Sequence, residues 1–136
     1  MIQFFYENLP ESVNTDYKKW LEDLILSEGK KLGEINYIFC DDEYLLKINQ
    51  DYLQHDYYTD IITFDLSHKG AAIEGEIYIS VDRVKANAIL LRQTFFDELH
   101  RVIFHGALHL CGYNDKNKKD ISKMREVEDY FIKMYH

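Results

Sequence analysis

An α+β fold is predicted for this chain, with one small sheet of about four strands packed on about five helices. Two observations carry that expectation. Short runs of branched and aromatic residues fall in the first part of the sequence, whereas from Val81 onward apolar residues recur at helical spacing. At 136 residues the chain is also about one domain long, without repeat, low-complexity run or linker, so residues 1–136 are expected to form one domain. Strands early and helices late place one sheet against a helical layer.

Taken in order, Ile2 to Tyr6 is rich in strand-forming residues, and Pro10 follows in a polar loop. Asn14 or Thr15 can cap a helix over Asp16 to Ser27, where Tyr17, Trp20, Leu21, Leu24 and Ile25 repeat with helical period. Gly29 and Gly33 bracket a turn before the alternating Ile35, Tyr37 and Phe39, a second strand running to about Cys40. Asp41 and Asp42 offer an N-cap to a helix carrying Leu45, Leu46, Ile48 and Leu53. The polar stretch Gln54 to Asp60 reads as a loop, Ile61 to Leu66 as the third strand, and Gly75 to Ser80 as the fourth. Helices are then expected over Val81 to Leu91 and from about Thr94 to Cys111, the latter stopped by Gly112. Beyond the charged segment Asn114 to Asp120, Ile121, Met124, Val127, Tyr130 and Phe131 mark a last amphipathic helix.

Composition narrows the functional classes. With 46% hydrophobic residues, eleven Tyr and eight Phe, the chain has material for a compact, ring-rich core. A net charge of −8 argues against coating nucleic acid by bulk electrostatics, while leaving room for a local basic groove or for a partner that delivers substrate. Cys40 and Cys111 imply no disulfide scaffold and read as reduced thiols, although Cys111 stands close enough to the histidines below to be weighed as a ligand. Residues 1–10 lack a basic start followed by a long apolar stretch, and no run of 18 apolar residues exists. A soluble cytoplasmic protein with no membrane partner is expected.

The chemistry concentrates in the run from His105 to Asp115. Two histidines four apart share one helix face, one turn above each other, so their imidazoles can converge on one ion. Gly112 tolerates positive φ, which allows a sharp reversal, and Asp115 can return its carboxylate to the same point. Two histidines and one carboxylate leave a coordination position open, the catalytic rather than the structural zinc pattern. Such an ion brings bound water toward a pKa of about 7. Against this, a bare His-x-x-x-His also occurs on ordinary half-buried helices. Zincin proteases carry a glutamate directly after the first histidine, and here that position is Gly106.

Glu98, seven residues before His105, projects from the same helix face and is the candidate for orienting a ligand from behind or accepting a proton, with a capping or solvated acid as the plain alternative. Asp60 and Thr59 are expected to bond local backbone, and His55 and His100 to lie at the surface. Tyr57 and Tyr58 can stack on unpaired bases but fit core packing or an exposed loop better. Lys116 and Lys118, with Lys119, form the basic cluster beside Asp115, either an RNA-phosphate contact or a solvated helix start.

The run resembles the metal motif of the YbeY family of bacterial rRNA-maturation endoribonucleases, H-G-x-L-H-L-x-G-Y-D-H. It agrees at His105, Gly106, Leu108, His109, Leu110, Gly112 and Tyr113, and departs at Asn114, where the family has Asp, and at Asp115, where it has the third histidine. Asn49, Tyr52, Asp56 and the segment Thr59 to Phe64 resemble the family stretch N-x-x-Y-R-x-x-D-x-x-T-D-V-L-S-F. Gly75 to Ser80 resembles its G-[DE]-I-x-I-S strand, and Glu98 matches a family acid. The resemblance implies a single-strand-specific, metal-dependent endoribonuclease acting at the 3′ end of small-subunit rRNA and in ribosome quality control. It implies His105, His109 and Asp115 as ligands of one Zn2+ per chain. Exchange of histidine for aspartate shifts preference toward harder ions such as Mn2+, with zinc the first choice.

Implied partners are the small-subunit rRNA precursor, small-subunit ribosomal proteins and an assembly GTPase. Leu53 stands where the family carries an arginine that binds phosphate or helps catalysis, so activity here is expected either to draw on another cation, such as Lys47, or to be weaker. Leu53 leaves a rival reading, a non-enzymatic ribosome assembly factor with a structural metal; a third, a metallopeptidase-like hydrolase, is opposed by Gly106.

Overall fold

In the computed structural model of the chain, residues 1–9 and 17–135 are described. Among them β1 (Ile2–Tyr6), α1 (Lys18–Ser27), β2 (Leu32–Cys40), α2 (Asp42–Leu53) and β3 (Ile61–Asp65) come first. They are followed by β4 (Ile73–Ser80), α3 (Val81–Leu90), α4 (Phe95–Leu110) and α5 (Lys118–Met134). The strands form one sheet in the order β1-β2-β4-β3. β1 pairs parallel with β2 and β2 with β4, whereas β3 runs antiparallel to β4 along the edge. The predicted α+β arrangement of one four-stranded sheet and five helices is the one found. Pro10, Asn14 and Thr15 lie outside the described residues. Gly33 sits inside β2, next to a register irregularity between Leu32 and Ile35, rather than in the turn before it.

The sheet is covered on both faces, which explains why its central strands read as nearly continuous apolar runs. Ile35, Tyr37, Phe39, Ile77 and Ile79 face the main core, shared with α1, α4 and α5. Cys40 and Ile62 face the opposite side, where Leu45 of α2 closes a smaller cluster. Asp41 caps α2 by accepting from the Tyr44 backbone N–H at 2.8 Å.

α4 is the central helix of the main layer. Leu99, Val102, Ile103, Phe104, Ala107, Leu108 and Leu110 are all buried along it, so it is apolar on most of its circumference. The buried Tyr37 hydroxyl donates to the Ile103 carbonyl at 2.7 Å and ties helix to sheet. Gly106 sets the distance between them. A Cβ at that position would lie 2.9 Å from Cγ2 and 3.0 Å from Cδ1 of Ile77, and 3.2 Å from Cδ1 of Ile61. Any side chain there meets two isoleucines in the packed interior.

Gly106→Ala is therefore expected to lower stability even though alanine favours a helix over glycine by about 1 kcal/mol. Overpacking of this kind costs about 1–3 kcal/mol, leaving a net loss of about 1 kcal/mol. The measurement is a urea unfolding curve, with the midpoint falling and the slope unchanged. A midpoint at or above that of the parent chain would show that Ile77 and Ile61 give way without cost.

Candidate active site

α4 ends in a closed turn that sequence spacing alone suggested. Leu110 is its last residue and Cys111 its C-cap, Gly112 takes φ +107, and two backbone bonds complete a Schellman motif: Gly112 N–H to the His109 carbonyl and Tyr113 N–H to the Leu108 carbonyl, both 3.1 Å. The chain reverses, Asp115 comes back over the helix end, and Asn117 caps α5 by accepting from the Asp120 N–H at 2.8 Å. α5 then packs against α4 and buries Met124, Glu128 and Phe131.

Within this frame His105 stands between two carboxylates. Its Nδ1 is 2.6 Å from Glu128 Oε2, and its Nε2 is 3.3 Å from Asp115 Oδ2. Glu128 in turn accepts from Arg101 at 2.9 Å, and Arg101 also donates to Asp129 at 2.6 Å. Burial disfavours a charge on His105, but the Glu128 hydrogen bond and charge, with Asp115 and Asp60, outweigh it and hold its pKa above the usual imidazole value. With Nδ1–H donating to Glu128, Nε2 is an acceptor facing a second acceptor. Only a shared cation, a proton or a metal ion, makes that contact favourable.

The residues pass two tests of fit to a metal. Ligand bonds of about 2.0–2.2 Å meeting at a tetrahedral angle set their donor atoms about 3.3–3.5 Å apart. The 3.3 Å between Nε2 and Oδ2 matches that spacing. His109 Nδ1 is buried without a hydrogen-bond partner among the described residues, the kind of orphaned nitrogen that a bound group relieves. At the same time, among the described residues no three His, Cys, Asp or Glu side chains are already gathered so that they could hold a metal ion.

His105, His109 and Asp115 line one cavity of about 260 Å³, together with Asn49, Leu53, His55, Tyr57, Thr59, Ile61, Ile62 and Thr63. The helix end thus supplies one wall, and the stretch from α2 to β3 the other. Asn49 is buried and donates to the Tyr57 carbonyl at 2.9 Å, pinning the loop to α2. The Asp60 carboxylate accepts from its own and the Ile61 backbone N–H, the local bonding expected of it; burial raises its pKa.

The remaining predicted site residues lie elsewhere. Glu98 is 5% exposed, does not line this cavity, and has an Oε1 without a hydrogen-bond partner among the described residues; burial and then Asp60 raise its pKa, partly offset by Arg101 and Arg125. Lys47, Lys116 and Lys118 are exposed and outside the cavity lining. Cys111 belongs to the apolar core, not to the cavity, and burial pushes its thiol up to about 12. His100, expected at the surface, is half-buried because the rings of Tyr17 and Trp20 meet it edge-on at 5.0 and 5.7 Å.

Sequence reasoning missed Glu128 and Arg101. The available signal was an acid inside the apolar stripe of the last helix, between Met124 and Phe131. Conversely Ile121 and Tyr130, read as part of that stripe, are exposed.

Fold and cavity define a small α+β protein whose core helix ends in two imidazoles and a carboxylate, with a further carboxylate behind the first imidazole. A family model described as Endoribonuclease YbeY matches residues 4–136. Endoribonuclease YbeY of Flavobacterium psychrophilum is 52% identical over all of this chain and 97% of its own length. That of Porphyromonas gingivalis is 50% identical over 98% of this chain and 89% of its own. The solution structure of TM1509 from Thermotoga maritima superposes with a TM-score of 0.72 at 29% identity, covering 97% of this chain and 87% of the other. The chain belongs to the YbeY endoribonuclease family.

Proposed function

We propose that this chain, acting as one domain over residues 1–136, is a metal-dependent endoribonuclease that cuts single-stranded RNA. Its place is small-subunit rRNA 3′-end maturation and ribosome quality control, in the cytoplasm, with small-subunit ribosomal proteins and an assembly GTPase as partners. The observation that carries the reading is the His105–Asp115 contact, two acceptor atoms at ligand spacing with Glu128 fixing the imidazole from behind.

His105, His109 and Asp115 would hold the ion. Zinc, or manganese as the harder alternative, would supply there an acidified water and a Lewis acid for a phosphoryl oxygen. Glu128 keeps the His105 ring in one tautomer and orientation. Asn49, Thr59 and Thr63 present polar groups along the opposite wall to the strand being cut, and the exposed Tyr57 ring offers a surface for an unpaired base. Glu98, buried away from the cavity, acts from behind the site rather than as the proton acceptor. Lys116 and Lys118, flanking the turn into α5, meet the RNA backbone outside the cavity, as does Lys47.

Leu53 in the cavity wall favours the second reading, a non-catalytic assembly factor with a structural ion. A peptidase is not supported, since the contacts of Gly106 with Ile77 and Ile61 leave no space for an acid at that position.

Stripping the protein with a chelator is expected to abolish cutting of a single-stranded rRNA 3′ precursor fragment, with zinc or manganese restoring it and the duplex form resisting. Cutting that survives chelation would sink the metal-dependent reading. Unfolding on chelation without activity in any state would establish the assembly-factor reading instead.

A further inference from the structure

A phosphodiester brought to this cavity meets Asp115 in its wall and a net charge of −8, with Glu128 behind His105, and among the described residues no Lys or Arg lines the cavity. A second cleft of about 250 Å³ shares His105 and Asp115 with it and is walled by Ile121, Met124, Arg125 and Glu128 of α5. Arg125 is the cation in that lining. Three positions before Glu128 it lies on the same face of α5, and helical side chains lean toward the N-terminus, here toward Asp115. Of the other arginines, Arg83 is held by Asp42 at 2.8 Å and Arg101 by Glu128 and Asp129, and Arg92, just beyond α3, lines neither cleft. Arg125 is exposed; its charge is felt by the buried Glu98 carboxylate, but among the described residues no carboxylate holds it in an ion pair.

We propose that Arg125 is the phosphate-contacting cation of this site, supplied from α5 in place of the one that Leu53 cannot provide from α2. The two positions flank the His105–Asp115 pair from opposite sides, so the charge has moved across the site and the RNA backbone passes on the α5 side of His105. A guanidinium suits the task because it presents planar paired donors to a phosphate and cannot lose its proton.

The inference rests on the endoribonuclease reading, and two readouts separate their fates. In steady-state cutting of single-stranded RNA, Arg125→Ala is expected to lower kcat/KM by about 10- to 100-fold and Arg125→Lys by less. Leu53→Arg placed in the Arg125→Ala chain is expected to restore much of the loss. In metal-free protein, the salt dependence of binding to the same RNA is expected to fall in slope by about 0.7, one phosphate contact on a single strand. Wild-type rates and an unchanged slope in Arg125→Ala overturn the proposal, as does altered zinc affinity with the slope intact, because Arg125 would then act on Asp115 alone. Should the parent chain cut no RNA, the enzyme reading fails, while the slope still decides whether Arg125 meets phosphate.

Discussion

His109→Ala is expected to leave a folded protein that has lost at least about a hundredfold in RNA cleavage, about 3 kcal/mol of transition-state stabilisation. The separation of folding from activity follows from where His109 sits. It is half-buried at the cavity on the last turn of α4, and its buried Nδ1 has no hydrogen-bond partner among the described residues. Truncation therefore orphans no other group and opens no space in the dry core; it removes a nitrogen whose burial was itself unfavourable. The measurement pairs cleavage of single-stranded RNA with a thermal melt of the same two preparations. Loss of activity with a melting temperature near the parent's is the expected outcome. Equal cleavage by both proteins would remove His109 from the site, and a collapse in melting temperature would assign it to the core instead.

Glu128→Ala should act through both stability and metal. The Glu128 side chain is 6% exposed and joins His105 to Arg101, itself 18% exposed. Without it Arg101 keeps only Asp129, and breaking a buried charged pair in this way costs about 3 kcal/mol. The ring of His105 also loses the acceptor that fixes its tautomer, and zinc affinity is expected to fall by about 10- to 100-fold. Glu128→Gln separates the two effects. The amide keeps the shape and one acceptor while removing the charge, so most of the stability should return and most of the affinity loss should remain. Zinc titration against a competing chelator, alongside urea unfolding, distinguishes them. Parent-like affinity in Glu128→Ala would show that the carboxylate is structural only.

What the sequence revealed and what it hid divide along the range of the interactions. His105, His109 and Asp115 are gathered by one helical turn and one glycine reversal, both local, and periodicity with the Gly112 signal was enough to bring them together. The strands were legible for the same reason, although Gly33 was misplaced because its strand position depends on pairing with β4. Glu128 reaches His105 across 23 positions and only because α5 folds back over α4. Nothing in its own neighbourhood distinguishes it except that it interrupts an apolar stripe. His100 was misread likewise, since the rings that cover it arrive from another helix. Gly106 was noticed as a missing acid, but its reason is the proximity of Ile77, which belongs to a strand far off in sequence.

The placement of the two histidines on α4 has a further consequence. α4 is buried between the sheet and three other helices, and its segments open only when the whole molecule does. Across from it, positions 51–58 are all exposed and are tethered chiefly by Asn49 to Tyr57 and Gln50 to Asp56. The cavity is thus an anvil facing a soft jaw. On the proposed reading, one side keeps the His105 and His109 nitrogens in register for as long as the protein is native, and the exposed side is free to fit the strand laid across it, so geometric demands would fall on the ion and tolerance on the RNA.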